Sequence, residues 1–172
     1  MKGIVVYSSK TGNTKKMAEV IHKALNNMEG VEAELFDIKG KPDIESYDFA
    51  LIGGWVDKAL PDNLALKLIK STAQNNLGLF VTLGAMPDSE HGLQVEDNLN
   101  ELLQGKNSFG TYKCPGLVDP KLVKKMKGFT GKIVPAHIRD KMVKAGEESR
   151  YATDEELAQA AQYFVDKVKE KM

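Results

Sequence analysis

The chain has one cysteine, Cys114. A lone thiol excludes an internal disulfide and a cysteine-cluster metal site, and is read as a buried or half-buried structural thiol. Long apolar runs are missing too. Ile4-Val5-Val6-Tyr7 is typical of the runs present, whereas a spanning helix needs about 20 apolar residues. The first residues read as a strand rather than a signal-peptide core, so a cytoplasmic protein with no membrane partner is expected. Net charge is absent, with 24 basic and 24 acidic residues. Aromatics make up only 7% and are not interleaved with basic residues, which excludes a nucleic-acid partner of recognised type. No metal-ligand, triad or paired-carboxylate spacing occurs, so neither a metal nor a catalytic residue is assigned. His22, His91 and His137 are isolated and read as structural.

Glycine patterning excludes more. No two glycines are separated by a single residue, so the G-x-G-x-x-G dinucleotide fingerprint cannot occur. Gly105-Lys106-Asn107 and Gly131-Lys132-Ile133 lack the hydroxyl and the spacing of a P-loop. Hydrolysis of ATP or GTP is therefore not expected.

What remains is an alternation of strands and helices in 172 residues, the length of one domain spanning 1–172. Ile4 to Tyr7, Phe49 to Ile52 and Leu79 to Leu83 are continuously apolar, as in strands covered on both faces. Val31, Ala33 and Leu35 alternate with Glu32 and Glu34, which fits a sheet edge. Phe109 to Cys114 is a weaker fifth strand. Met17, Val20, Ile21, Ala24 and Leu25 recur at helical spacing, as do Leu64, Ala65, Leu68 and Ile69. Pro61 is read as the first turn of that second helix. Asp88 or Ser89 can cap a third helix built on Val95, Leu99, Leu102 and Leu103. Thr153 and Glu156 form a capping-box pattern ahead of Leu157, Ala161, Phe164, Val165 and Val168. The result is an α/β fold with a five-stranded parallel sheet between helical layers. Sites in such sheets lie beyond the carboxyl ends of the strands.

Charge is uneven along the chain. Met28 to Asp62 carries 3 Lys against 9 acids, a net of −6. Lys113 to Arg150 carries 10 basic residues against 4 acids, a net of +6. The second segment is either a docking face for an acidic partner or an ordinary solvated surface.

Three turns carry the chemistry. Ser8-Ser9-Lys10-Thr11-Gly12-Asn13-Thr14 joins the first strand to the first helix. A simple helix cap needs one hydroxyl or amide side chain, and this turn holds five. Together with the orphan amides of a helix start they suit a phosphate dianion. Gly53-Gly54-Trp55-Val56-Asp57-Lys58 follows the third strand and holds the only Trp. Its indole can stack on a flat ligand or pack on the protein's own core. Thr82-Leu83-Gly84-Ala85-Met86-Pro87-Asp88 follows the fourth.

Ser9-Lys10-Thr11-Gly12-Asn13-Thr14, directly after a first strand, resembles the phosphate loop of flavodoxins. The resemblance covers the whole chain. It implies a flavodoxin-like three-layer sandwich with strand order 2-1-3-4-5, and FMN as cofactor. It implies phosphate contacts from Ser9, Lys10, Thr11, Gly12, Asn13 and Thr14, and ring contacts from Gly54, Trp55, Val56 and Lys58. Thr82, Leu83, Gly84 and Ala85 would clamp the pyrimidine side. Family members flip a peptide in the second turn as the flavin is reduced, which Gly53 and Gly54 would make inexpensive. Lys58 would place a cation where many members crowd acids, or else would face solvent. The third turn lacks the stacking Tyr common in the family. Three strings, Gly54 to Lys58, Thr82 to His91 and Val118 to Leu122, are similar to a flavodoxin-like subgroup of anaerobic bacteria associated with bilirubin reductase. Residues 115–152 are a helical insertion between strand 5 and the last helix, expected to pack as two short helices and to serve as flap, partner platform or plain surface.

The expected function is FMN-dependent electron transfer, with a reductase such as bilirubin reductase as redox partner. An FMN-dependent NAD(P)H or quinone reductase, and a flavodoxin fold that no longer holds FMN, are the alternatives. A receiver-like signalling domain using Asp57 and Lys113 is disfavoured, because Tyr7-Ser8-Ser9 stands where receivers carry an acidic pair.

Overall fold

The structure, a computed structural model, describes residues 1–128 and 133–172. Five parallel strands form the sheet: β1 (Lys2–Tyr7), β2 (Glu32–Asp37), β3 (Phe49–Asp57), β5 (Asn76–Leu83) and β6 (Asn107–Pro115). Their order is β2-β1-β3-β5-β6, which is the expected 2-1-3-4-5 when only parallel strands are counted. An unexpected two-residue strand, β4 (Leu60–Pro61), pairs antiparallel with the end of β3. The helices are α1 (Asn13–Asn26), α2 (Asn63–Ser71), α3 (Glu90–Leu102), α4 (Pro120–Lys127), α5 (Ala136–Glu148) and α6 (Asp154–Lys169).

The central strands β1, β3 and β5 bury both faces along most of their length, and alternate residues feed two cores. On one side Val5, Phe49, Leu51 and Phe80 pack with Met17, Ile21 and Leu25 of α1 and with Leu157, Phe164 and Val168 of α6. On the other side Ile4, Val6, Ala50, Ile52, Leu79 and Val81 pack with Ala65 and Ile69 of α2 and with Val95 and Leu99 of α3. The edge strand β2 shows Glu32 and Glu34 to solvent and buries Ala33 between them. A charged, half-solvated edge resists pairing with other chains.

Glycine lets aromatic rings cross the sheet. Gly3 lies opposite Phe49 and Gly53 opposite Phe80. A Cβ would sit 2.2 Å from the Phe49 ring in the first case and 2.0 Å from the Phe80 ring in the second. Each ring fills the space that a side chain on the neighbouring glycine would take. Phe49 stacks on Phe109 at 5.3 Å, and Phe80 meets Phe164 edge-on at 6.2 Å.

Two sequence expectations are corrected here. Gly53 to Asp57 is strand rather than turn, because Gly53 and Gly54 serve close packing. A Cβ on Gly54 would lie 2.8 Å from Asp62 Oδ2 and 2.9 Å from Ala65 Cβ. Neither glycine has a positive φ; the left-handed angles fall on Lys58 (φ 50°) and Ala59 (φ 63°) at the β3–β4 hairpin. Pro61 belongs to β4, and Asp62 caps α2.

The insertion folds as expected into α4 and α5, of which only Gly146 is buried. Residues 129–132, including the Gly131-Lys132 pair, lie outside the described residues. The insertion returns to α6 through Arg150, whose guanidinium donates to both Glu156 carboxylate oxygens at 2.8 Å. Glu156 also accepts from Thr153 N at 2.8 Å, completing the capping box. Cys114, on the inner face of β6, is buried as expected, and burial pushes its thiol up to about 12.

Adding a methyl group at Gly3 forces Phe49 off its glycine. Gly3→Ala is expected to cost about 1–3 kcal/mol, read from the urea midpoint at constant m-value. Arg150 holds the Glu156 carboxyl down to about 2. A depressed folded-state pKa stabilises fully above the ordinary carboxylate range, and that stabilisation is lost as pH falls toward 2. Glu156→Gln is therefore expected to lower the denaturation midpoint at neutral pH, with the gap to wild type closing between about pH 4.5 and 2.

Candidate functional site at the carboxyl ends of the strands

The loop between β1 and α1 is fixed from beneath by two buried hydrogen bonds. Ser8 Oγ donates to Asp62 Oδ1 at 2.8 Å. Thr14 and Thr82 share a hydroxyl–hydroxyl bond at 2.8 Å, joining the first turn of α1 to the end of β5. Asp62 is 3% exposed, and its Oδ1 also accepts from Leu64 N at 3.1 Å while Oδ2 has no partner. Between these anchors the loop rises into solvent at Lys10, Thr11 and Gly12. Gly12 takes φ 93°, a left-handed angle that suits glycine, and its N–H donates to Ser9 Oγ at 3.1 Å.

This helix start differs from most others in the chain. Asp62, Ser89, Asp119 and Thr153 each cap their own helix with a side-chain oxygen. Gly12 offers none, and no acidic residue stands in the first turn of α1. No side-chain cap therefore takes up the first-turn amides, which carry the partial positive charge of a helix start.

A cleft of about 540 Å³, counted to its open mouth, adjoins the loop. Lys10, Thr11 and Asn13 line it from the first loop, Trp55 and Val56 from the end of β3, and Thr82, Leu83 and Gly84 from the end of β5. Trp55 is half-buried, belongs to neither core, and carries the Lys10 ammonium 5.6 Å from its ring centroid. It is presented to the cleft rather than spent on the protein interior.

Six of the expected residues lie outside this lining. Ser9 shapes the turn, and Thr14 is buried against Thr82. Gly12 faces a second hollow, beside Tyr151 and Leu157. Gly54 packs on Asp62 and Ala65. Lys58 is exposed on the hairpin, and Ala85 faces a groove between α3 and α5. Asn13 is in the lining, but its amide is engaged: Nδ2 donates to Thr11 Oγ1 at 2.7 Å and to Leu117 O at 3.0 Å.

Gly116, Leu117, Val118, Asp119 and Leu122 complete the lining and were not expected there. Val118 to Leu122 stands out in the sequence as a string, but nothing local shows that it folds back over the first loop. Lys113 is also engaged: Nζ donates to Pro87 O at 3.1 Å, to Gly92 O at 3.0 Å and to the Glu96 carboxylate. It ties β6 to the start of α3, while Asp57 sits exposed on the hairpin. The receiver-like pairing of these two side chains does not form. Among the described residues no group of His, Cys, Asp or Glu is placed to hold a metal, and no helix is long and apolar enough to cross a membrane.

An uncapped helix start beside an open cleft, at the carboxyl ends of a 2-1-3-4-5 parallel sheet, is the arrangement of a flavodoxin fold. The chain belongs to the flavodoxin domain family, whose model matches residues 4–166. It is 29% identical over 168 residues to the flavodoxin-like domain-containing protein BilS of Clostridioides difficile (strain CD3), covering 95% of this chain and 94% of that one. Among solved structures it is similar in fold to oxidised flavodoxin 1 of Bacillus cereus, with TM-score 0.59 and 19% identity over 98% of each chain. A flavodoxin from the domain Archaea matches with TM-score 0.61 and 16% identity, covering 99% of this chain and 98% of that one.

Asp62 supports the loop and caps α2 with the same oxygen. Asp62→Ala removes the cap and leaves Ser8 Oγ buried without an acceptor. A loss of about 2 kcal/mol is expected in equilibrium unfolding.

Proposed function

We propose that the protein binds FMN in this cleft and works as an electron carrier. The supporting observation is the uncapped start of α1 beside a cleft into which the half-buried Trp55 is turned. The residues fit the cofactor's chemistry. The first-turn amides and the hydroxyl of Thr11 suit a phosphate, and Lys10 adds a charge at the mouth. Trp55 supplies a flat aromatic face for a ring system, and Val56 and Leu83 add apolar contact. FMN supplies one- and two-electron transfer when bound, and the protein supplies binding, orientation and electrostatic tuning.

No general acid or base is needed for this role. The partner is a redox protein, and the subgroup resemblance in the sequence points to a reductase such as bilirubin reductase. The cytoplasm is the compartment this reading implies.

The test is the visible spectrum of the purified protein after addition of FMN and desalting. A retained oxidised-flavin spectrum with quenched fluorescence is expected, without NADPH consumption by the isolated protein. A colourless protein that rejects added FMN refutes the reading; steady NADPH oxidation by the FMN-loaded protein refutes the carrier role in favour of a reductase. Trp55→Ala is expected to weaken FMN binding about tenfold, through lost stacking and buried area. Fluorescence titration of the apoprotein measures it.

A further inference from the structure

The cleft has one wall that the three loops do not build. It is a strap, Gly116 to Asp119, that leaves β6 and runs into α4. Several contacts fix it. Gly116 N donates to Leu83 O at 2.8 Å. Leu117 is gripped at both backbone groups by Asn13, whose Nδ2 donates to its carbonyl at 3.0 Å and whose Oδ1 accepts from its N–H at 3.4 Å. Val118 N donates to Ser149 Oγ at 3.0 Å, and that hydroxyl donates on to Gly146 O at 2.6 Å. The strap is thus tied to the first loop through Leu117 and to the close of α5 through Val118.

Two further features give the strap its meaning. The third loop, Thr82 to Asp88, carries no aromatic side chain. Val118 Cγ2 reaches into the space above Gly84, 2.3 Å from where a Cβ would stand. The strap follows β6, and β5 separates β6 from β3, so the strap and Trp55 flank the cleft from two sides of β5. Leu122 is half-buried although α4 buries no residue. Its apolar contact is spent on the cleft rather than on a core.

We infer that the strap and the first turn of α4 form a binding wall: Leu117, Val118 and Leu122 supply apolar surface against the flavin ring, where the third loop carries no aromatic side chain. Asn13 is then a positioning residue for this wall, its amide spent on the strap. The inference rests on the FMN reading above and assigns the insertion a part in ligand binding.

The test uses the full chain titrated with FMN and, separately, with riboflavin, which lacks the phosphate. Leu122→Glu is expected to weaken both ligands by about the same factor, roughly tenfold, because it removes an apolar ring contact and spares the phosphate loop. Iodide is expected to quench the residual fluorescence of the bound flavin more strongly in this variant. Ser149→Ala, which touches the strap but not the cleft, should weaken FMN about threefold and raise iodide access through the lost hydrogen bond. It also keeps the test decisive should Leu122→Glu fail to fold. Wild-type affinity and wild-type iodide access in Leu122→Glu or Ser149→Ala would overturn the wall and leave the FMN reading standing. Failure of the wild-type chain to bind FMN would overturn both.

Discussion

Everything at the carboxyl ends of the strands hangs on how the first loop is held from below. Its ends are sunk into the protein through hydroxyls: Ser8 onto the buried carboxylate of Asp62, and Thr14 onto Thr82. Buried polar groups are tolerated only when paired, so each bond fixes the position of two elements at once. One sets the start of α2 against the end of β1. The other sets the start of α1 against the end of β5. With both ends pinned, Lys10, Thr11 and Gly12 can stand in solvent without the loop losing its shape.

The architecture was readable because the sheet is covered on both faces. Uninterrupted runs such as Phe49 to Ile52 admit little else than a central strand, and the alternating charges of β2 mark an edge. The site was only half readable. Lys10, Thr11, Asn13 and Trp55 lie in the cleft as their local pattern suggests. Gly53 and Gly54 suggest a turn because glycine usually marks one, yet here they make room for Phe80 and Asp62. The true hairpin at Lys58-Ala59 has neither Gly nor Asn, so it leaves no local trace despite its left-handed backbone. The strap was hidden for another reason. Its contacts with Asn13 cross 104 positions of sequence, and no short-range rule reaches that far.

The insertion changes the chemistry of the fold's open end. It belongs to a strongly basic stretch of sequence, Lys113 to Arg150, while the acidic stretch from Met28 to Asp62 belongs to β2, β3 and the hairpin. Several of its charges are already matched, as in Lys127 with Glu147, Arg139 with Asp140 and Lys144 with Glu148. Exposed pairs of this kind add little stability. The net charge left over sets the local field that an approaching molecule meets within about a Debye length, some 8–10 Å at ordinary salt.

Cys114 offers a use of a different kind. Its sulfur lies against α6, 3.8 Å from Glu156 O, and burial keeps it in the unreactive thiol form. A thiol reagent can attack only while α6 is lifted from β6. With reagent in excess and reclosure fast, the rate of modification measures the free energy of that opening. The single cysteine is thereby a native timer for the breathing of one layer of the sandwich, with no label to be engineered.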